Sequence, residues 1–387
     1  MQVRTTVDEA MRRAVSAGDV PGVVALAADD SGVTYEGAFG TREVGGDVHM
    51  TLDTVFWIAS MTKAVTSVAA MQLVEQGRLA LDEPLAGLLP ELGSIQVLEG
   101  FDPAGAPRLR AAARPVTLRH LLTHTAGFTY DIWNADMVRH MEYHGVPGII
   151  ECRNVTLRTP LVFDPGERWE YGINVDWAGK AVEAASGQSL EAYFREHIFA
   201  PLGMADTAFV MGPDQRGRLA AMHVRHTDGS LEAIQFEVPQ APEFFMGGGG
   251  LYSTGPDYLA FLRMVLGGGR LGDAQVLRPA TVAEMSRNQI GDLTVGALKT
   301  AIPASSNDAE FFPGMVKKYG LGFMINTEAA PTGRSGGSLA WAGLANTYYW
   351  IDPARRLAGV ILTQVLPFAD DRVLRLFGEF ESTMYAA

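Results

Sequence analysis

Cysteine is nearly absent from this sequence of 387 residues, since Cys152 is the single one. One cysteine excludes an intramolecular disulfide and gives no sign of a thiolate metal site. The longest apolar runs are too short to span a membrane, and the first residues lack the apolar segment of a signal peptide. The sequence therefore predicts a cytoplasmic protein with no membrane partner.

Positive charge is outnumbered by negative charge, with 31 lysines and arginines against 44 aspartates and glutamates. Lysine occurs only five times, and the formal net charge is -13 at pH 7. No block of like charge dominates, which argues against nucleic acid or an anionic membrane as the main partner. Hydrophobic residues make up 47% of the chain, enough to build a large core. We interpret the acidity as a contribution to solubility.

Strand-like segments lie near both ends of the chain. Residues 20–29 and 33–39 are short apolar runs around an Asp-Ser-Gly turn, which predicts a hairpin. Similar runs recur at 319–325, 347–351 and 357–364, and the last two flank a second turn signal. Helical patterns fill most of the middle of the chain.

This arrangement predicts an α/β (α+β) fold. An antiparallel sheet would be built from the two ends, flanked by the N- and C-terminal helices, and joined to a mainly α-helical part with long loops. The predicted domains are 1–92 together with 317–387, and 93–316. A site is expected in the cleft between them.

Among the five lysines, only Lys63 has a serine three residues before it. The segment Ser60-Met61-Thr62-Lys63 stands where an apolar run gives way to a helical pattern, so the hydroxyl and the amine share one helix face. Small apolar neighbours favour burial, which lowers the pKa of a lysine and lets it act as a base. Helix N-terminal N–H groups near Ser60 suit an oxyanion. The alternative is an N-cap serine with a surface lysine.

Two further segments carry candidate residues. Tyr171 follows a Pro-Gly turn and precedes a helix, and a phenol near an ammonium can relay a proton to a leaving group. The segment Trp341-Ala342-Gly343-Leu344 lies between two strand-like runs, where the Leu344 N–H could be a second oxyanion donor. The alternatives are a packing tyrosine and a bulged strand.

Taken in this order, Ser60-x-x-Lys63, Tyr171 and Trp341-Ala342-Gly343 resemble the serine β-lactamase and penicillin-binding-protein superfamily. The sequence is most similar to class C β-lactamase-like carboxylesterases, known as family VIII esterases. The resemblance covers about residues 8 to 380 and includes Leu-Leu-Thr-His-Thr-Ala-Gly-Phe at 121–128 and Pro-Leu-Gly-Met at 201–204.

The resemblance implies a role for each residue. Ser60 would be the acylated nucleophile, Lys63 and Tyr171 the general base, and the N–H groups of Ser60 and Leu344 the oxyanion hole, with Trp341 and Gly343 beside the substrate. It implies a serine carboxylesterase that cleaves short-chain esters of small molecules and needs no cofactor and no metal.

Two departures from the β-lactamase pattern favour a neutral ester. Ile173 stands where the asparagine of Y-x-N belongs, and Trp341 replaces the lysine of K-T-G, which binds the β-lactam carboxylate. Weak hydrolysis of β-lactams, cephalosporins first, is compatible with the shared acylation chemistry. An acyltransferase, a β-lactamase or D-amino-acid peptidase, and a non-catalytic sensor remain alternatives.

Other motifs are interpreted as structural. Gly-Arg-Ser-Gly-Gly at 333–337 fits the G-x-S-x-G of α/β-hydrolases, but no histidine follows Ser335. The pairs His120/His124 and His140/His144 have metal-binding spacing without a third ligand. The glycine run 247–250 is not a phosphate-binding loop, and we interpret it as a flexible stretch beside the cleft.

Overall fold

The computed structural model describes residues 2–386 and has a mixed α/β fold. The strands, in chain order, are β1 (Gly22–Asp29), β2 (Val33–Gly40), β3 (Phe56–Trp57), β4 (Gln96–Phe101), β5 (Pro107–Ala111), β6 (Met222–Arg225), β7 (Leu231–Ile234), β8 (Tyr252–Ser253), β9 (Arg270–Leu271), β10 (Ala274–Gln275), β11 (Lys317–Tyr319), β12 (Met324–Asn326), β13 (Leu339–Gly343), β14 (Thr347–Asp352), β15 (Leu357–Leu362) and β16 (Val365–Leu366).

Most of the helices lie between β2 and β11, and one helix closes each end of the chain. They are α1 (Gln2–Ser16), α2 (Thr62–Glu75), α3 (Leu118–Leu122), α4 (Ala135–His144), α5 (Asn154–Leu157), α6 (Asn174–Ser186), α7 (Leu190–Phe194), α8 (Ala200–Leu202), α9 (Pro213–Gly217), α10 (Gly255–Leu266), α11 (Pro279–Met285) and α12 (Asp371–Tyr385). Short 3-10 helices are Ala59–Met61, Leu85–Gly87, Pro90–Gly93, Asp131–Trp133 and Ile149–Glu151, and Arg195–Phe199 is a π-helix.

Seven strands form one antiparallel sheet in the order β11-β12-β13-β14-β15-β1-β2. The two ends of the chain meet where β1 pairs with β15, with Leu26 opposite Val360. The predicted fold class is therefore confirmed, and so is the turn that joins β14 to β15. The proposed division into two domains stays a prediction.

Helices cover both faces of this sheet. Side chains alternate along a strand, and the neighbours Tyr349 and Trp350 of β14 show the two sides. The Trp350 ring packs against Phe377 and Phe380 of α12, whereas Tyr349 packs against Tyr258 of α10. Because both faces are covered, β13, β14 and β15 are buried along their whole length.

The predicted strand over 319–325 is divided into β11 and β12. Gly320 and Gly322 make the turn between them: Gly322 has φ +97°, and a Cβ on Gly320 would lie 2.1 Å from the Met285 carbonyl oxygen. A residue with a side chain fits neither place, so the glycines convert one apolar run into a tight hairpin.

Helix α2 lies in the interior and bears Lys63. Its residues from Thr62 to Leu73 are all buried, which agrees with their small and apolar side chains. A helix enclosed on all sides takes any polar side chain it carries out of water. Within residues 2–386, no helix combines the length and apolar character that crossing a membrane requires.

Candidate active site

Ser60 lies at the end of β3, in the 3-10 turn that leads into α2. Ala59 before it has φ +44°, a left-handed conformation that non-glycine residues seldom adopt. The preceding backbone is held by Gln364, whose side chain accepts from Trp57 N–H at 3.1 Å and donates to Trp57 O at 3.0 Å. The Ser60 side chain is partly exposed at the floor of a cleft.

Lys63 is fully buried directly behind Ser60. Its Nζ donates to Ser60 Oγ at 3.0 Å, to Tyr130 OH at 2.9 Å and to Gly248 O at 2.6 Å. Burial lowers the pKa of the Lys63 amine to about 7, and the negative charge of Asp176 opposes part of that shift. A lysine with this pKa is neutral in a large fraction of molecules at neutral pH, as a proton acceptor must be.

Asp176 is a buried carboxylate that the sequence analysis missed. It lies in the first turn of α6, and its Oδ1 accepts from Gly248 N–H at 2.8 Å. Burial raises the pKa of this carboxyl, against the opposing charge of Lys63. The Gly248 residue thus bonds Lys63 through its carbonyl and Asp176 through its N–H. An acidic residue between Val175 and Trp177 was the sequence signal for it.

The glycine run 247–250 is packed against these groups, and all four residues are buried. None of the four has φ between +20° and +160°, so positive φ does not explain the glycines. Close approach does: a Cβ on Gly248 would lie 2.6 Å from Asp176 Oδ2. The carbonyls of Gly247 and Gly249 accept from Thr66 Oγ1 and Trp57 Nε1.

Tyr171 stands on the other side of Ser60, just before α6. Its phenol lines the same cavity as the Ser60 hydroxyl, and Trp341 Nε1 donates to the phenol oxygen at 3.1 Å. Lys63 Nζ lies 4.6 Å from the centroid of its ring. Burial raises the pKa of the Tyr171 phenol, while interactions with Ser60 and Trp341 oppose this rise. The phenol is therefore protonated at neutral pH.

Tyr130 is a second phenol at the site. No motif in the sequence gives it a catalytic role, whereas here its hydroxyl accepts from Lys63 Nζ. Its ring lies edge-on to that of Tyr171, with centroids 5.1 Å apart. Its position two residues after the Leu-Leu-Thr-His-Thr-Ala-Gly-Phe segment was the available signal. Burial raises the pKa of this phenol as well.

Strand β13 brings Trp341, Gly343 and Leu344 to the nucleophile. A Cβ on Gly343 would lie 2.4 Å from Ile58 O, so only glycine lets the strand approach the segment before Ser60 this closely. Leu344 follows at the end of the strand and lines the same cavities as Ser60. The predicted residues are thus brought together, although their catalytic roles stay a prediction.

Two small cavities open from Ser60. The helix-side cavity, of about 30 Å³, is apolar, and its walls are Trp57, Tyr130, Ile132, Trp133, Ile149, Ile150, Met246 and Leu344 with neighbouring backbone. The strand-side cavity, of about 10 Å³, has as walls Trp133, Tyr171, Leu298, Phe311, Trp341, Ala342, Leu344 and Phe368. In the described chain, neither cavity is lined by lysine or arginine.

The motifs interpreted as structural have structural surroundings. Ser335 lies in the turn before β13, where its N–H donates to Asp352 Oδ2 at 2.8 Å. His124 is buried, and its Nδ1 accepts from Gly172 N–H at 3.4 Å and lies 3.1 Å from Asn174 Nδ2. No group of three or more His, Cys, Asp or Glu residues within 2–386 could hold a metal ion.

Comparison with known proteins agrees with this geometry. The family model described as Beta-lactamase matches residues 5–381. Monacolin J acid methylbutanoyltransferase of Aspergillus terreus is 35% identical over 98% of this chain and 95% of its own. Lovastatin esterase of Penicillium rubens is 32% identical over 98% of this chain and 97% of its own length. The unliganded selenomethionyl structure of simvastatin synthase (LovD) from Aspergillus terreus has a TM-score of 0.85 at 33% identity. The match covers 100% of this chain and 98% of that structure's chain.

Proposed function

Since the chain belongs to the Beta-lactamase family, we propose that it is a serine carboxylesterase that hydrolyses short-chain esters of small molecules. One observation carries this proposal. A fully buried lysine, with its pKa lowered by burial, contacts at 3.0 Å a serine hydroxyl that faces an apolar cleft. The relatives include both acyl-transferring and ester-hydrolysing enzymes.

Acylation begins with proton transfer. Neutral Lys63 accepts the Ser60 proton, because its nitrogen lies within hydrogen-bond reach of Oγ. Ser60 then attacks the ester carbonyl. The N–H groups of Ser60 and Leu344 stabilise the tetrahedral oxyanion as fixed donors in an apolar cleft.

Release of the alcohol needs a proton on its oxygen. Tyr171 is protonated and lines the same cavity as Ser60, so it donates this proton and recovers one from Lys63. Trp341 stabilises the transient phenolate through its 3.1 Å bond. Water, activated by the same groups, then releases the acid and frees Ser60.

The choice of a neutral substrate follows from the walls of the site. Trp341 cannot supply the charge that lysine offers a β-lactam carboxylate, and it is already bonded to Tyr171. Ile173 is buried. The side-chain Nδ2 of the next residue, Asn174, contacts His124 Nδ1 and donates to Phe128 O. The small helix-side cavity favours a short acyl chain. Slow cephalosporin hydrolysis is part of the proposal, because acylation uses the same groups.

Acyl transfer is the second candidate, and the apolar walls of both cavities favour it. An alcohol that occupies the strand-side cavity would exclude water and attack the acyl-enzyme in its place. The relative from Aspergillus terreus is a methylbutanoyltransferase by name. Product analysis in the presence of a competing alcohol separates the two activities, since transfer gives a new ester and hydrolysis gives the free acid.

Hydrolysis of a p-nitrophenyl ester series by wild type and Ser60→Ala tests the proposal. We expect acetate and butyrate to be cleaved faster than octanoate, with an initial burst of p-nitrophenol if deacylation is slower. Ser60→Ala should lose at least ~10³-fold in turnover. Nitrocefin should be turned over far more slowly than the ester. Retained ester cleavage in Ser60→Ala would refute the mechanism.

A further inference from the structure

A third cavity lies behind the strand-side cavity, and we infer that it is a subsite for the apolar alcohol part of large esters. This inference rests on the proposed function. The cavity, called the rear cavity here, has a volume of about 200 Å³ and lies between β13, β14 and α12. It is far larger than either cavity at Ser60.

Phe311 is the partition between the two spaces. Phe311 and Trp341 line both the strand-side and the rear cavity. The Phe311 ring centroid lies 6.0 Å from that of Trp341 and 6.4 Å from that of Phe368. Phe311 is only half-buried, whereas Trp341 is buried and bonded to Tyr171. Of the two, the Phe311 ring is therefore the one free to rotate and join the cavities.

The backbone under this ring is anchored. Lys317 of β11 is buried, and its Nζ donates to Phe311 O at 2.7 Å, to Phe312 O at 3.3 Å and to the Glu310 carboxylate at 3.4 Å. Phe312 holds a left-handed conformation with φ +47°. With the carbonyls of Phe311 and Phe312 held by Lys317, a change of the Phe311 rotamer opens the partition without moving the loop.

The lining of the rear cavity selects a neutral, apolar occupant. Met324, Ala340, Leu374 and Phe377 supply hydrocarbon surface. Its two buried charges, Arg334 and Glu381, pair with each other, with Arg334 Nε donating to Glu381 Oε1 at 2.8 Å. A charge on the ligand would find no free partner among these groups and would lose its hydration.

The geometry assigns the alcohol to this side. Tyr171, the proton donor to the departing alcohol, lines the strand-side cavity but not the helix-side one. The alcohol oxygen must lie near that phenol, so the rest of the alcohol extends along β13 toward Phe311. The acyl chain then occupies the helix-side cavity.

Gly378 of α12 gives a way to fill the rear cavity. It lines that space, and a Cβ built on it would meet no atom within 4 Å. Gly378→Leu therefore places a side chain in the cavity. Ser382→Leu is the matched control, because Ser382 is exposed on the same helix and does not line the cavity.

The test compares biphenyl-4-yl acetate with phenyl acetate, which share the acyl group and have similar phenol leaving groups. We expect Gly378→Leu to lower the ratio of the two kcat/KM values by about tenfold or more, and Phe311→Ala to raise it by a similar factor. Ser382→Leu should keep the wild-type ratio. The inference is refuted if both Gly378→Leu and Phe311→Ala, folded by thermal melting, keep that ratio too.

A binding measurement separates this inference from the proposed function. Calorimetric titration of the Ser60→Ala protein with 4-phenylphenol should give a Kd that Gly378→Leu weakens by about tenfold. If wild type cleaves no ester but this weakening is seen, the esterase proposal fails and the subsite stands. If esters are cleaved while neither the ratio nor the Kd changes, the subsite alone fails.

Discussion

Two buried lysines in this protein have opposite surroundings. Lys63 is 0% exposed and Lys317 is 3% exposed. Lys63 donates to two hydroxyls and one carbonyl, whereas Lys317 donates to two carbonyls and the Glu310 carboxylate. Hydroxyls can give and accept protons, and carbonyl oxygens can only accept hydrogen bonds. If Lys63 is the base as proposed, burial alone does not make a lysine reactive, because the partners of its nitrogen decide whether a proton can be passed on.

Replacing each lysine by methionine is expected to give the largest difference between the two. Lys63→Met removes the proton acceptor and should lower kcat for p-nitrophenyl acetate by about 10³-fold. Lys317→Met instead leaves two backbone carbonyls unpaired, which should lower the free energy of unfolding by about 1–3 kcal/mol. Steady-state kinetics and urea denaturation of both variants measure the two effects. Equal losses of turnover would show that the two lysines do not differ in this way.

The two phenols beside Lys63 sharpen the comparison. Tyr171→Phe removes the proposed proton donor beside Ser60, so kcat should fall by about 10²-fold. Tyr130→Phe removes one acceptor of the Lys63 ammonium and should cost less. Single-turnover release of p-nitrophenol measures acylation in both variants. A larger loss for Tyr130→Phe would reverse the assigned roles.

A smaller effect is expected at Trp341. Trp341→Phe keeps an aromatic ring but removes the donor to the Tyr171 oxygen. A hydrogen bond worth about 1 kcal/mol corresponds to a loss of about fivefold in kcat. The ester series measures it, and the loss should be the same for every acyl length. A loss confined to one chain length would mean that Trp341 acts in substrate binding.

The pH dependence tests the charge behind Lys63. Neutral lysine is the base, so kcat/KM should rise with pH through the lowered pKa of Lys63, near 7, and then level off. Asp176 raises the pKa of Lys63, so Asp176→Asn should move this limb to lower pH and leave the alkaline plateau little changed. The pH profiles of the two proteins measure the shift. A limb displaced to higher pH would contradict the assignment of Lys63 as the base.

Much of the fold was predictable, because its signals are local. Apolar runs with turn residues predicted β1, β2, β14 and β15, and the helical pattern after Ser60 predicted α2. The run over 319–325 was misread as one strand. Its division depends on the Met285 carbonyl, which approaches Gly320 from a distant part of the chain. Local patterns carry no information about such contacts.

The residues of the candidate site also divide into those that the sequence predicted and those that it did not. Ser60, Lys63, Tyr171 and the β13 residues were found because they form spaced motifs. Asp176 and Tyr130 were not recognised, since each looks like an ordinary member of an apolar stretch. They acquire their meaning only from a buried amine more than sixty residues away in sequence. The glycines at 247–250 were assigned to flexibility, and the structure assigns them to close packing.

The sequence by itself determined that a serine stands three residues before a lysine at the start of a helix, which is about one turn in either 3-10 or α geometry. Only the tertiary structure decided that the amine is out of water, that Gly248 links it to Asp176 through its carbonyl and its N–H, and that Tyr171 lies beside the hydroxyl. These are contacts between segments far apart in the chain. They exist only once the sheet and the helices have packed and excluded solvent.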